Sequence, residues 1–466
     1  MEQDSHYKQV FDSVENLIYM DANKIRNFLK SLNKDNVAEE ISKQKVIKTK
    51  SEPRQNSFRM LRMSIICFKL IGLATFTQHV VTRKKITSYT FQYSEFGIVY
   101  NVVLSSLVIA SNYLSIPNSM SMEYENRTNL TVSIEILQSV LGTLMVCAVL
   151  LSYCMNQKSL VRIANRLMDI EHEIDRLYHL YRPLRRQRIF CAQVIVCVFN
   201  VCLLILLATS DFLAFQSGPT DWLTDILPTF HVGWLLIQYL LLVTVIQADF
   251  AYVNQAIQSL TRVSTHESRS QSLYQTRRVV VSNSTVHQLL QLRDMHCHLC
   301  EISEDVSDFY ALPVLCGLAF LFLTLIYNGY YLLSPLLISD DILQYRVLSN
   351  TVIWLIFLTY HVSLLANRIT KTLNEVEKTG NVVHNILCCA IGEETKSELK
   401  QFSLQLLHRK VQFTVFGYFS LDNRFFHSLI GTVVTYLVIL VQFQMGSSCS
   451  SKSQPCNCTG RTFKTE

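Results

Sequence analysis

The sequence predicts an all-α membrane protein with seven transmembrane helices, a cytoplasmic N-terminus and an extracellular C-terminus. Three observations carry this prediction: seven apolar stretches of membrane-spanning length, a strong bias of basic residues to one side of them, and glycosylation sequons on the other side. The chain has 466 residues, of which 49% are hydrophobic and 17% charged, so it is rich enough in apolar residues for several spans.

Each of the seven windows is long enough to cross a bilayer as an α-helix, which needs about 20 residues. A transmembrane β-barrel would show short segments of alternating polarity instead, so a helical bundle is expected. The windows are Tyr93–Ile116, Val132–Tyr153, Phe190–Ser210, Leu227–Ala248, Phe309–Leu333, Val347–Ala366 and Phe425–Gln444.

The basic residues define the orientation of these windows. Of the 42 Lys and Arg residues, 37 precede the first window or lie in the loops after the second, fourth and sixth windows, and five lie on the opposite side. Because cytoplasmic loops are enriched in Lys and Arg, the crowded side is expected to be cytoplasmic.

Glycosylation sequons give a second indication of the same topology. Asn126 and Asn129 lie in the first outer loop and Asn457 lies in the outer tail, so these three are the expected glycosylation sites. A fourth sequon, at Asn283, falls in a cytoplasmic loop and is expected to remain unmodified.

The windows divide the chain into six segments. Residues 1–57 are polar and lack the apolar core of a signal peptide, which predicts a cytoplasmic tail. Residues 58–92 begin with an apolar run that contains three basic residues, and we expect a membrane-associated helix here, since a further span would place the C-terminus inside. The other segments are 93–366 for helices one to six with a ligand pocket in their outer half, 367–424 for cytoplasmic helices, 425–446 for the seventh helix and 447–466 for an extracellular tail that contains cysteines.

The last window carries polar residues inside an apolar helix. Polar groups in lipid are costly unless they face protein or water. At 3.6 residues per turn, these residues fall into two stripes along the helix, one of small or polar side chains and one of bulky side chains. Two interpretations remain open: a pore-lining face backed by a packing face, or a helix contact in which small residues permit close approach. The first stripe comprises Gly431, Thr435, Val438 and Gln442, and the second comprises Tyr436, Leu440 and Phe443.

Polar and aromatic residues in the other windows cluster toward the predicted outer side. Aromatic walls with a few hydrogen-bonding groups suit a small molecule, and sites between bundle helices are common. Aromatic belts at membrane interfaces are the alternative explanation for the rings. The candidate ligand-binding residues are Glu135, Gln138, Asp211, His231, Trp234, Gln238, Tyr327, Asn328, Tyr331 and Trp354.

Catalytic and cofactor motifs are not found in the sequence. It has no phosphate-binding glycine-rich loop and no nucleophile elbow, so neither an enzyme nor a cofactor is expected. His296 and Cys300 share a helix face, but structural zinc needs four ligands and no second pair follows, so no metal site is expected. The net charge of +6 is explained by the cytoplasmic loops and gives no reason to expect nucleic acid.

The last window reads Thr435-Tyr436, five aliphatic residues and Gln442-Phe443, and this ending resembles the insect gustatory receptor family. The inverted seven-helix layout, opposite to that of G-protein-coupled receptors, also fits that family. The resemblance extends over most of residues 58–446 and includes Phe250 to Asn254 after the fourth window and Gly417 to Asn423 before the last one.

The resemblance implies a tastant-gated, non-selective cation channel in the plasma membrane of chemosensory neurons, without a G protein. It implies a tetramer of this chain, alone or with other gustatory receptor subunits, in which the last helix lines the pore with Val438 or a neighbour as the constriction. It also implies that an amphipathic helix over residues 399–413 helps to anchor the subunits together, the alternative being a helix on the inner leaflet lipids. Asp422 is expected to cap the helix that follows.

The ligand class stays open between fructose-like sugars and bitter compounds. Leu437 after Tyr436 resembles the bitter and fructose-sensing groups more than the sweet-receptor group. The alternative function is a secondary transporter for a small polar solute, although such proteins often show an internal repeat and broken helices, and neither is visible here.

Overall fold

The computed structural model describes residues 64–83, 86–121, 129–177, 183–215, 222, 226–267, 283–338, 345–388 and 393–451. The chain divides into two compact units. One comprises Met1–Met63 with Arg182–Phe190, of which only the helical backbone of 183–190 is described. The other comprises Ser64–Tyr181 with Cys191–Glu466 and holds all the features discussed below.

Helices dominate the described residues, and two short antiparallel hairpins accompany them. The helices are α1 (Glu95–Ser121), α2 (Asn129–Met155), α3 (Gln157–Leu177), α4 (Pro183–Phe215), α5 (Leu227–Glu267), α6 (Asn283–Ile338), α7 (Tyr345–Leu387), α8 (Glu393–His408) and α9 (Asn423–Ser451). The strands are β1 (Phe76–Arg83), β2 (Ile86–Tyr93), β3 (Thr414–Val415) and β4 (Phe419–Ser420).

Seven of these helices are long and apolar enough to cross a membrane, which confirms the predicted all-α fold with seven spans. They are α1, α2, α4, α5, α6, α7 and α9, and each contains most or all of one predicted window. We compared the most apolar 18-residue stretch of each helix. In α5 and α6, 72% and 61% of this stretch is buried inside the protein, whereas in α4 and α9 only 17% and 6% is buried. Helices α5 and α6 therefore form the centre of the bundle, and α4 and α9 lie at its periphery.

Three helices are much longer than a membrane crossing requires. At 1.5 Å per residue, the 56 residues of α6 span roughly 84 Å, against about 30 Å for the apolar core of a bilayer. Helices α5 and α7 have 41 and 43 residues. The parts beyond the bilayer pack on one another and on α3 and α8, so the protein has a substantial helical region outside the membrane.

The segment before α1 differs from the predicted helix. Residues 64–70 are helical, the chain turns at Gly72 with a φ of +84°, and β1 and β2 then form a hairpin. These strands are rich in Thr, Val, Ile and aromatic residues, which fit a pleated surface better than a helix. Asn165 of α3 holds β2, because its side chain exchanges hydrogen bonds of 2.9 and 3.0 Å with the backbone of Phe91.

The predicted amphipathic helix is present but ends earlier than expected. Helix α8 stops at His408, and the chain continues in an extended conformation to β3. Leu399 and Phe402 are buried, and α8 packs on α6 and α7. Its apolar face is therefore covered in part by its own subunit, whereas Leu404 and Leu407 remain exposed.

Candidate functional site

Helix α9 packs on the rest of the subunit through one narrow face. Val433 is its only buried side chain between residues 423 and 443. Tyr436 meets the ring of Phe322 in α6 edge to face, with ring centres 5.9 Å apart. Leu437 lies so close to Gly329 of α6 that a side chain at this glycine would collide with it. Small and aromatic residues of α6 thus fix the position of α9.

The predicted pore face points away from this contact. Gly431, Thr435 and Gln442 are exposed, and Val438 is 50% exposed. On a helix these four residues lie roughly opposite Val433, so the protein packed behind α9 does not cover them. The Thr435 hydroxyl donates to the carbonyl of Gly431 at 3.0 Å, which satisfies its own donor within the helix.

The predicted packing stripe is covered only in part. Tyr436 contacts Phe322, but it is 48% exposed, and Phe443 is 72% exposed. Leu440 is partly exposed. One subunit therefore leaves a large apolar surface of α9 uncovered beside the face that holds it.

The chain enters α9 through a tightly held turn. Phe416 and Gly417 have φ values of +50° and +74°, which reverse the chain between β3 and β4. The Asp422 carboxylate accepts hydrogen bonds of 3.0 and 3.1 Å from the N–H groups of Arg424 and Phe425, which confirms the predicted helix cap. Phe425 also stacks on Phe419, with ring centres 4.7 Å apart.

Two neighbouring helices hold this turn through hydroxyl groups. Ser307 of α6 donates to the carbonyl of Thr414 at 3.0 Å and accepts from the N–H of Thr414 at 3.1 Å. Thr370 of α7 accepts a hydrogen bond of 3.0 Å from the N–H of Asn423, the first residue of α9. Helices α6 and α7 are therefore both hydrogen-bonded to the segment that leads into α9.

Charged residues connect α3, α6 and the segment after α8. Glu301 of α6 accepts from Arg409 at 3.2 Å and lies 3.9 Å from Arg166 of α3, which also pairs with Asp305 at 3.0 Å. Partial desolvation disfavours the charged guanidinium of Arg409, but the hydrogen bond and negative charge of Glu301 outweigh it and raise its pKa.

One predicted ligand residue, Asp211, contacts a residue that the sequence did not select, Asn350. Asp211, near the end of α4, accepts a hydrogen bond of 3.3 Å from the side-chain amide of Asn350, near the start of α7. Asn350 is buried, and its amide oxygen has no hydrogen-bond partner among the described residues. This contact joins a peripheral helix to α7 and leaves one polar atom available.

His231 and Trp234 of α5 are buried on one face of that helix. Within the described part of the chain, neither the Nε2 of His231 nor the Nε1 of Trp234 has a hydrogen-bond partner. The Trp234 ring meets Phe68 and Phe230 edge to face at 5.7 and 6.1 Å. Two unsatisfied ring nitrogens on one helix face are the arrangement expected of groups that bind a ligand or water.

Gln238 does not lie in the outer half, where the sequence predicted it. Its amide oxygen accepts from the hydroxyl of Tyr153 at 2.6 Å and its amide nitrogen donates to the carbonyl of Leu73 at 2.9 Å. Tyr153 is two residues from the end of α2, so the contact lies near the inner end of that span. The apolar run of α5 continues beyond the bilayer because its lower part is buried by protein, and hydropathy alone does not distinguish the two environments.

The remaining candidates are distributed over three helices. On α6, Tyr327 and Tyr331 lie 5.5 Å apart, and Asn328 is buried with its amide donating to Thr324 at 2.9 Å. Trp354 of α7 is buried and Gln138 of α2 is partly exposed. The side chains of Glu135, Asn126, Asn129 and Asn457 lie outside the described residues.

A polar contact between two residues outside the predicted sites lies inside the bundle. The Nε2 of His361 in α7 is 2.7 Å from the amide oxygen of Asn200 in α4. Gly233 of α5 lies against the His361 ring, where a Cβ would approach the ring to 3.0 Å. Isolated polar residues in apolar spans are the signal that would have identified both Asn200 and His361.

Metal-binding geometry is not found in the described residues, where no three His, Cys, Asp or Glu side chains are grouped to hold an ion. The sulfur of Cys300 lies 3.6 Å from the Nδ1 of His296, and both are buried. Phe250 and Phe402 surround the His296 ring, so this pair is part of the packed interior.

Comparison with known proteins places these features in context. The family model of the 7tm chemosensory receptors matches residues 61–447. Gustatory receptor 28b of Drosophila melanogaster is 26% identical over 184 residues, which are 38% of this chain and 39% of that receptor, so the match spans about two fifths of that relative. Gustatory and pheromone receptor 32a of the same species is 24% identical over 373 residues, which are 75% of this chain and 76% of that receptor.

Solved structures support the fold. The insect olfactory receptor OR5 from Machilis hrabei superposes with a TM-score of 0.56 at 13% identity, covering 83% of this chain and 98% of that receptor. Its structure in complex with eugenol gives a TM-score of 0.55 at 14% identity, covering 84% and 99%. The arrangement of helices is therefore shared far beyond sequence similarity.

Proposed function

This chain belongs to the 7tm chemosensory receptor family, and we propose that it is a tastant-gated, non-selective cation channel. As a member of this family it is a multi-pass protein of the plasma membrane and not an enzyme. Its matches to gustatory receptors favour a role in chemosensory neurons.

The observation that carries the proposal is the exposed polar face of α9. This helix is apolar enough to cross the membrane, yet it presents Thr435 and Gln442 on a face that its own subunit leaves uncovered. Polar side chains facing lipid are costly, so this face is expected to meet water or another subunit. Several copies of α9 around a central axis would satisfy it, with Gly431, Thr435, Val438 and Gln442 lining a pore and Val438 as an apolar constriction.

The exposed sides of α9 fit the same arrangement. Tyr436, Leu440 and Phe443 would contact the neighbouring subunits and lipids around the pore. We infer a tetramer of this chain, either a homotetramer or one shared with other gustatory receptor subunits, in which the exposed part of α8 contributes to the contact between subunits in the cytoplasm. Leu404 and Leu407 of α8, which are 57% and 66% exposed, are the apolar residues available for it.

The ligand is expected between the outer halves of the helices. His231 and Trp234 of α5 each offer a buried polar atom that no described residue satisfies. Asn350 offers another, but the part of α7 that lies against Gly233 of α5 is His361, about three turns away, so Asn350 belongs to a separate position. A ligand with both hydroxyl groups and an apolar face, such as a fructose-like sugar or a bitter compound, would suit such a site. Gln238 is better explained as a structural residue, because protein groups already satisfy both ends of its amide.

Patch recording tests this proposal directly. Excised patches from cells that express this chain alone, without GTP, are exposed to sugars and bitter compounds on the outer face. Unitary cation currents that require ligand are expected. Solute-coupled flux without unitary openings would instead indicate a transporter, and a current that requires GTP would indicate a G-protein pathway.

A matched pair of glutamine variants tests the pore face. Gln442→Ala is expected to change the unitary conductance or the relative permeability of cations at unchanged surface expression. Gln412→Ala removes the same amide from an exposed position outside α9 and is expected to behave as wild type. Identical currents in both variants would contradict the assignment of Gln442 to the pore.

A further inference from the structure

A small polar cavity lies between the start of α3 and the middle of α6. Its volume is about 210 Å³. From α3 and the residue before it, Asn156, Ser159 and Arg162 line the cavity, and from α6 it is lined by Asp305, Asp308 and Phe309. None of these residues belongs to the proposed pore or ligand site.

The cavity lies at the predicted inner surface of the membrane. On α2 and α3 the apolar run ends at Met155 and the first charged residue is Lys158; on α6 the last charged residue is Asp308 and the apolar run starts at Phe309. The rings of Tyr153 and Phe309 are in contact, with centres 5.1 Å apart, so both boundaries lie at one level. This is the depth at which phospholipid headgroups are found.

Opposite charges line the two walls of the cavity. Arg162 is on the α3 wall and Asp308 is on the α6 wall, and among the described residues neither has an ion-pair partner. The carboxylate of Asp305 is already paired with Arg166 at 3.0 Å. Among the residues that the structure describes, the cavity therefore offers Arg162 as an unpaired cation and Asp308 as an unpaired anion, which suits a zwitterion better than a simple ion.

Apolar side chains continue from the cavity toward the membrane. Met155, directly before Asn156, is 80% exposed, and Leu151 one turn earlier is 50% exposed. Leu312 follows Asp308 by one turn on the same face of α6 and is 42% exposed. These side chains give an acyl chain a surface to follow, which a soluble zwitterion would not use.

We propose that this cavity binds the headgroup of an inner-leaflet phospholipid that carries a primary ammonium, of the phosphatidylethanolamine type. The phosphate lies toward Arg162, where the Ser159 hydroxyl and the Asn156 amide can also donate. The ammonium donates to the carboxylate of Asp308. Phosphatidylcholine, whose quaternary ammonium has no N–H, cannot make the bond to Asp308, and a net anionic headgroup is disfavoured by the two carboxylates.

Native mass spectrometry of the purified full-length protein in detergent tests this site. Phosphatidylethanolamine and phosphatidylcholine with identical acyl chains are titrated, and soluble phosphoethanolamine is added as a third ligand. The ethanolamine lipid is expected to bind about tenfold more tightly than the choline lipid, as expected for one charge-assisted hydrogen bond. Equal affinities of the two lipids would overturn the proposal, and this comparison needs no variant. If soluble phosphoethanolamine bound as tightly as the lipid, the occupant would be a free zwitterion and the lipid assignment would be wrong.

Paired variants locate the site. Asp308→Asn is expected to reduce the affinity for the ethanolamine lipid about tenfold, to that of the choline lipid, and Arg162→Gln to weaken both lipids. The controls are Glu304→Gln and Lys158→Gln, which change the same charges at exposed positions outside the cavity. Equal effects of Asp308→Asn and Glu304→Gln would refute the assignment. All four positions are exposed, so size-exclusion profiles like that of the wild type are expected.

Discussion

Substitution of Gly329 by alanine tests how α6 positions the last helix. A Cβ at Gly329 would lie 2.7 Å from the Cδ1 of Leu437 and 3.0 Å from its Cδ2. Carbon atoms of different residues normally approach to about 3.5–4.0 Å. Either the Leu437 side chain or the whole of α9 must therefore move by roughly 1 Å.

The loss of stability depends on whether the Leu437 side chain or the whole of α9 moves. Leu437 is only partly buried, so its side chain can rotate away, at a cost of roughly 0.5–1.5 kcal/mol for a less favourable conformation. If α9 moves instead, overpacking typically costs about 1–3 kcal/mol. We expect a loss of about 1–2 kcal/mol, together with a shift in the open probability, because the displaced helix carries the proposed pore face.

Two measurements check this expectation: the thermal unfolding midpoint of the purified protein, and the ligand dose-response in excised patches. Gly380→Ala is the matched control, since a Cβ there would meet no atom within 4 Å. The double variant Gly329→Ala with Leu437→Ala removes the colliding methyl groups and is expected to recover most of the lost stability. A Gly329→Ala protein with wild-type stability and gating would refute the close contact between α6 and α9.

Three further substitutions test single contacts. Asp422→Ala removes the cap of α9 and is expected to destabilise the protein by about 1 kcal/mol, whereas Asp422→Asn keeps a hydrogen-bond acceptor and should lose less. Equal unfolding midpoints of the two variants would argue against the cap. Asn200→Leu leaves the buried Nε2 of His361 without its partner, which costs about 1–3 kcal/mol, and an unchanged midpoint would contradict the 2.7 Å contact. Arg409→Gln breaks an exposed ion pair with Glu301, so the protein is expected to lose at most about 1 kcal/mol of stability, and this difference should disappear in 1 M salt. A difference in stability that persists in 1 M salt would show a non-electrostatic role of Arg409.

The sequence alone was sufficient for the features that depend on local patterns. Membrane-spanning length and apolar composition identify all seven spans, because a helix in lipid must satisfy its own backbone and present apolar side chains. The separation of Gly431 and Thr435 from Tyr436 follows from helical periodicity, and the cap at Asp422 follows from residue type and position.

Only the tertiary structure decided the features in which distant residues meet. The hairpin of β1 and β2 replaced a predicted helix because strand pairing and the contact of Phe91 with Asn165, 74 residues away, outweigh the local apolar pattern. Gln238 was assigned to the outer half of its membrane span, which is wrong, because hydropathy measures how apolar a helix is and not what surrounds it. The contact of His361 with Asn200, 161 residues apart, depends on how α4 and α7 pack, and side-chain spacing within one helix carries no information about it.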